Sequence, residues 1–130
     1  MFVDTSVVVA ILSGEEDAAA WASRIGEATV RATSPLVVLE AVMRLSTKLA
    51  IEPVEVEVAV AEFLREAEID IVPIEAKEAK LAVQAFSDYG KGRGHPAQLN
   101  LADCLSYASA KSRSIPLLYK GNDFSHTDLA

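Results

Sequence analysis

The sequence predicts an α/β domain: a mostly parallel sheet covered on both faces by helices. Three observations carry that expectation. Four short apolar runs with strand character are spread along the chain. The first three are each followed by one or two helical segments that open on capping residues or proline. The chain has 130 residues, 51% hydrophobic and 24% charged, too apolar for disorder and long enough to bury one core.

The elements follow in order. Phe2-Val3 begins an apolar strand ending at Asp4-Thr5-Ser6, three helix N-cap types, and Val7 to Leu12 continues as a helix until Ser13-Gly14 stops it. Glu15-Glu16-Asp17 offers negative charge to the first turn of a second helix, through Trp21 to about Ile25. Thr29 to Thr33 alternates and is short, a strand; Ser34-Pro35 opens a helix to about Leu49. Pro53 starts another, to about Ala67. Ile69 to Ile74 is a strand with Pro73 at the end where pairing stops. A helix from about Glu75 to Tyr89 runs into the loop Gly90 to Pro96. Asn100 caps a helix to about Arg113, and Pro116 to Tyr119 is the last strand. Right-handed crossovers place every strand-to-helix turn at one edge of such a sheet. The functional crevice of an open sheet lies outside the carboxyl ends of its strands.

Charge narrows the function classes. The formal net charge is −7, so a module that coats nucleic acid by counterion release is disfavoured. The distribution is uneven: residues 1–75 carry 5 basic and 14 acidic side chains, residues 76–120 carry 7 basic and 3 acidic. That pattern suits either two differently charged faces in water or a basic approach beside an acidic pocket. The single cysteine, Cys104, excludes an internal disulfide and a Cys-based zinc site. The longest apolar run, Val7 to Leu12, is far short of the ~18 residues of a spanning helix. Asp4 stands before it without Lys or Arg, unlike a signal peptide. One soluble, cytoplasmic domain over residues 1–130 is the expectation, with no membrane contact.

At the strand ends the chain places four carboxylates: Asp4 after the first strand, Glu40 in the helix after the second, Asp103 in the first turn of the helix capped by Asn100, and Asp123 after the last strand. Each has an ordinary local explanation. Asp4 is an N-cap type, Glu40 has Arg44 one turn on, Asp103 completes a capping box with Asn100, and Gly-Asn-Asp suits an Asx turn. Gathered at one edge they would repel, by ~4 kcal/mol per pair at ~4 Å and an effective dielectric of 20. Such a cluster is neutralised by a cation, and oxygen ligands without His or Cys favour Mg²⁺ or Mn²⁺ over zinc. Lys91, Arg93, Lys111, Arg113 and Lys120 are candidates for steering a phosphate backbone toward the acids. The Gly90 to Gly94 loop is either a close-approach loop for phosphates or an ordinary surface loop. His95 and His126 read as surface residues, Cys104 as core, Trp21 as core or interface, and Glu52, Glu55, Glu57, Glu62 and Glu66 as a solvated face.

Four segments together resemble a PIN domain, and more narrowly the VapC toxins of bacterial type II toxin–antitoxin pairs. They are Phe2-Val3-Asp4-Thr5-Ser6, Pro35 to Glu40, Leu99 to Ala108 with its Asn-Leu-Ala-Asp core, and Leu117 to Phe124 with Gly-Asn-Asp-Phe. They occur in the family's order over nearly the whole chain. The resemblance implies a three-layer α/β/α sandwich and a Mg²⁺-dependent endoribonuclease, Mn²⁺ substituting, that leaves 5′-phosphate and 3′-hydroxyl ends. It also implies a homodimer held inactive by a VapB-like antitoxin. The acidic quartet maps onto Asp4, Glu40, Asp103 and Asp123, with a supporting hydroxyl from Thr5 or Ser6. Asp4 and Asp103 would hold the principal metal, Glu40 and Asp123 acting directly or through water, with one or two metals left open. Many PIN domains have Ser or Thr two positions before the last Asp; here it is Gly121, with Asn122 the candidate for the missing polar contact.

Other readings fare worse. A phosphoacceptor domain needs an Asp closing its central strand, and Asp70 is at the wrong end of its run. A haloacid-dehalogenase-type phosphatase needs a second Asp where Ser6 stands. The stronger alternative is a non-catalytic PIN-fold module for protein binding, against which the full set of four acids argues.

Overall fold

Four strands, β1 (Phe2–Val3), β2 (Ala32–Thr33), β3 (Asp70–Ile71) and β4 (Leu117–Leu118), pair in the order β3-β2-β1-β4. All three pairings are parallel. The computed structural model describes residues 1–130, and the six helices between the strands are α1 (Thr5–Leu12), α2 (Ala18–Glu27), α3 (Pro35–Leu49), α4 (Pro53–Glu66), α5 (Ala76–Tyr89) and α6 (Leu101–Ser112). The predicted parallel α/β class is the observed one. After β1 the chain builds outward through β2 to β3, then crosses to place β4 on the other side of β1. The direction of winding therefore reverses between β1 and β4, where open sheets form their crevice.

The strands are shorter than the apolar runs suggest. Before Ala32, Arg31 turns its guanidinium onto three carbonyls, Gly26 O (2.9 Å), Ala28 O (2.9 Å) and Ala67 O (2.8 Å), closing the C-terminal ends of α2 and α4. Sheet hydrogen bonding reaches only one residue beyond β2 and β3, through Asp70 N to Arg31 O and Val72 N to Thr33 O. Pro73 then has no N–H to continue. Both residues of β3 are exposed, as befits a short edge strand.

Helix starts follow the capping chemistry. Asp4 Oδ2 accepts from Ser6 N at 3.1 Å to open α1. Ser34 Oγ accepts from Val37 N at 3.2 Å ahead of Pro35 in the first turn of α3. Asn100 and Asp103 form a reciprocal capping box on α6. The expectation for Glu15-Glu16-Asp17 is corrected: α2 begins only at Ala18, Asp17 makes no capping bond, and Glu15 and Asp17 bind Lys120 instead. α1 is apolar all round because it is covered by α2 and α3. Phe2, Val3, Val7, Val8, Leu45, Leu99, Leu118 and Phe124 form the centre of one core, with Cys104 buried beside them as expected. The five glutamates of the 52–66 region are exposed, also as expected.

Candidate active site

β1 and β4 end side by side, so the residues that follow them meet. Asp4, 7% exposed, is held by Ser6 twice, through the backbone N–H and through Ser6 Oγ, which donates to Asp4 Oδ2 at 2.7 Å. The same hydroxyl accepts the backbone N–H of Lys120 at 2.9 Å. One serine thus ties the carboxylate after β1 to the turn after β4. The local rule is simple: a residue two positions into a helix is where an N-cap carboxylate reaches.

Asp103 is half-buried in the first turn of α6, its Oδ2 accepting from Asn100 N at 3.1 Å. Its carboxyl is pushed up to about 6. Burial is the main cause, the Asn100 N–H opposes it, and the charges of Asp123, Asp4 and Glu40 raise it further. The charges of three carboxylates from three other segments therefore reach Asp103 through space. No group of three or more His, Cys, Asp or Glu side chains is drawn together as a metal cluster. Three of the acids have a local anchor, Ser6 for Asp4, Asn100 for Asp103, and Arg44 at 3.7 Å for Glu40, and the Asp123 side chain has none.

The donor set fits a hard divalent cation in chemistry. It offers carboxylate oxygens alone, with no His or Cys among the four. Thr5, next to Asp4, is 1% exposed and its Oγ1 has no hydrogen-bond partner. A buried orphaned hydroxyl costs ~1–3 kcal/mol, the kind of exception that marks a place for a water or ion. Ser6 and Thr5, both candidates for the supporting hydroxyl, are thereby separated: Ser6 is committed to Asp4 and Lys120, Thr5 is not.

The Asp123 loop is anchored on both sides. Phe124 is buried and meets Tyr119 edge-on at 5.2 Å, and Lys120 is fixed upstream. Asn122 contributes its backbone carbonyl, which accepts Ser125 N and Oγ; its exposed side chain makes no hydrogen bond. Asp123 itself is exposed.

The basic candidates divide. Lys120 Nζ donates to Glu15 Oε1 at 2.7 Å and Asp17 Oδ1 at 2.9 Å, which holds its ammonium above the usual lysine range. Arg113 pairs at 3.1 Å with Glu78, a fully buried carboxylate on α5. Lys111 pairs with Asp128, whose Oδ1 also accepts Tyr107 Oη at 2.6 Å. These three are engaged in ion pairs rather than presented as free cations. Lys91 and Arg93 form none and are exposed, Arg93 lying 5.8 Å over the Phe86 ring. They sit on a loop closed by a Gly90–Leu99 bridge. His95 is partly covered, its Nδ1 accepting from Ala97 N at 3.1 Å, a structural brace for the loop. Sequence reasoning missed the Lys120–Glu15–Asp17 cluster. All three charges are visible in the chain, but a separation of 105 residues carries no pairing signal.

Comparison with known proteins places this geometry. The family model described as PIN domain matches residues 1–129. The chain is 47% identical over 127 residues to VapC ribonuclease Mb0625 of Mycobacterium bovis, covering 98% of this chain and 93% of that protein. It is 40% identical over 131 residues to ribonuclease VapC42 of Mycobacterium tuberculosis, covering 99% and 96%. Among solved structures it superposes on M. tuberculosis VapC20, titled a Sarcin-Ricin loop cleaving toxin, with a TM-score of 0.71, 22% identity and coverage of 95% and 92%. A toxin–antitoxin complex from Klebsiella pneumoniae matches with a TM-score of 0.69, 17% identity and coverage of 98% and 92%. These last two speak for the fold.

Proposed function

The chain belongs to the PIN-domain family, and from that premise we propose that it is a metal-dependent endoribonuclease toxin of the VapC kind. Its relatives at 47% and 40% identity are named ribonucleases along nearly their whole length. The observation that carries the reading is Asp103, half-buried in the first turn of α6 and raised to about 6, chiefly by burial and further by the charges of Asp123, Asp4 and Glu40. A half-buried acid in the field of three others on separate segments needs a reason beyond its local cap.

Asp4 and Asp103 are the residues to hold Mg²⁺ or Mn²⁺, with Glu40 and Asp123 ligating directly or through water. The chemistry a hard divalent cation would supply there is acidity to a water and stabilisation of charge on the departing 3′ oxygen. Ser6 fixes the rotamer of Asp4, and Asn100 that of Asp103. Lys91 and Arg93, exposed and without an ion pair on the loop between α5 and α6, are the cations left to meet phosphates of an RNA strand. The protein partners in this reading are a VapB-like antitoxin and a second copy of the chain. Exposed Leu39, Met43, Val54 and Val58 on α3 and α4, and Val83, Phe86 and Leu101 on α5 and α6, support covering by protein surfaces. No helix is long and apolar enough to cross a membrane, in keeping with a cytoplasmic site of action.

The test is cleavage of total RNA by purified, antitoxin-free protein with and without Mg²⁺ or Mn²⁺, beside an Asp4→Asn protein prepared identically. Discrete metal-dependent fragments with 5′-phosphates, absent with Asp4→Asn, are expected. Equal cleavage by both proteins, or none across a broad RNA panel, refutes the nuclease and favours the protein-binding module.

A further inference from the structure

Lys120 follows β4 and precedes Gly121-Asn122-Asp123, so whatever fixes Lys120 fixes the approach to Asp123. Two independent contacts do so. Its backbone N–H donates to Ser6 Oγ, the hydroxyl that in turn donates to Asp4. Its ammonium reaches back to the α1–α2 connection, bonding Glu15 and Asp17. Those acids are themselves fastened to the body of the domain. Asp17 Oδ2 accepts Trp21 Nε1 at 2.9 Å on α2, and Glu15 lies 3.6 Å from Lys48 of α3. Lys48 also donates to Ser13 Oγ at 3.2 Å, and Ser13 Oγ donates to Val9 O at 2.6 Å. The turn after β4 is thus braced against α1, α2 and α3 through one side chain.

We propose that Lys120 is a positioning residue for the acidic site: its pairing with Glu15 and Asp17 sets the place of Asp123 relative to Asp4. The inference rests on the nuclease reading for its consequence but not for its geometry. Partly solvated ion pairs contribute little to global stability, so the brace is expected to act on the site and not on folding. Gly121, at φ +100, adopts a backbone conformation available mainly to glycine. The restraint on the turn must therefore come from its neighbours, Lys120 before it and Phe124 after it. This role replaces RNA steering for Lys120: its charge is spent on two carboxylates.

Three variants decide it: Lys120→Met, the paired Glu15→Gln/Asp17→Asn, and Lys120→Arg. Each is measured for amide hydrogen exchange over residues 119–124, for Mn²⁺ affinity without RNA, and for kcat and KM on an RNA substrate. Lys120→Met and the paired acid variant should both speed exchange in that segment and weaken Mn²⁺ binding by about 10- to 100-fold, as loss of an outer support around a metal site does. Combining them should add nothing, the RNA KM should stay, and Lys120→Arg should restore most of the loss. Overturning results are unchanged exchange in both variants, or unchanged Mn²⁺ affinity with a raised RNA KM in Lys120→Met and a lowered one in the acid variant. The last pattern makes Lys120 an RNA contact. A wild-type protein that neither cleaves RNA nor binds Mn²⁺ sinks the nuclease reading instead, and exchange still decides whether Lys120 pins the turn.

Discussion

Replacing Asp103 by Asn should stabilise the protein while abolishing its nuclease activity. Carrying a carboxyl from 3.8 to about 6 costs its ionised form about 3 kcal/mol. Asp103 is half-buried, so solvent screening reduces the cost to ~1–2 kcal/mol. The sign follows from proton linkage. The folded carboxyl keeps its proton to higher pH than the unfolded one, so the folded state binds more protons between about pH 4 and 6. Stability therefore falls as pH rises through that window, and the penalty is fully present above it. Asn carries no charge and its Oδ1 still accepts the Asn100 N–H that Asp103 takes at 3.1 Å, so the cap survives. Thermal unfolding followed by circular dichroism in EDTA, from pH 4 to 8, should show Asp103→Asn melting higher at pH 7.5, by ~4–8 °C for ~1–2 kcal/mol in a domain of this size. The two curves should converge toward pH 4. Excess Mg²⁺ should raise the wild-type midpoint and leave the variant's unchanged. A gap that is absent at pH 7.5, or constant with pH, refutes the argument that ionised Asp103 is a burden on the fold, chiefly through its burial and further through the neighbouring acids.

Arg113→Met leaves Glu78 buried at 0% exposure with its partner gone; a loss of ~3–5 kcal/mol in urea unfolding is expected, largely recovered in Glu78→Met/Arg113→Met. Equal stability of single and double variants contradicts it. Ser6→Ala removes the hydroxyl shared by Asp4 and Lys120 and strands the Lys120 N–H, so a cost of ~1–3 kcal/mol should accompany slower RNA cleavage; full activity would detach Ser6 from the site. Gly90→Ala places a Cβ 2.3 Å from Phe86 Cδ1 and 2.5 Å from Phe86 O, an overpacking worth ~1–3 kcal/mol in chemical denaturation. A null effect there would mean the α5 end yields more freely than its packing suggests.

Helix starts were legible because capping is local: Asp4, Ser34 with Pro35, and Asn100 with Asp103 act within three residues of themselves. Strand lengths were not, because Thr29 to Arg31 and Val72 to Ile74 carry strand-like residues but pair with the sheet only through Arg31 O and Val72 N. Arg31 spends its guanidinium on carbonyls of α2 and α4, a choice set by tertiary packing rather than by pattern. The same reason hides the partners of Lys111, Arg113 and Lys120. A lysine looks free in sequence until the fold delivers Asp128, Glu78 or Glu15 from elsewhere, which is why five steering candidates reduce to Lys91 and Arg93 once pairing is counted.

The four acids were legible for a different reason, and it bears on the protein-binding alternative. Local explanations hold for three of them: Asp4 caps α1, Asp103 completes a capping box and Glu40 faces Arg44. A cap, however, needs only a polar side chain of the right reach; Ser or Asn would serve α1 and α6 as well without charge. What the local roles leave unexplained is that a charged residue stands at Asp103, half-buried and within the field of Asp123, Asp4 and Glu40, and bears the cost of both. A module kept only for protein contacts gains nothing from that burden, since neutral caps would be more stable. The combination of satisfied caps and unsatisfied charge is what a cation site requires of its ligands: each oxygen held in place beforehand, and net negative charge left over. That separation, placement by neutral partners and charge reserved for a ligand, is the physical content of the nuclease reading, and it is why Asp103→Asn tests function and stability in opposite directions.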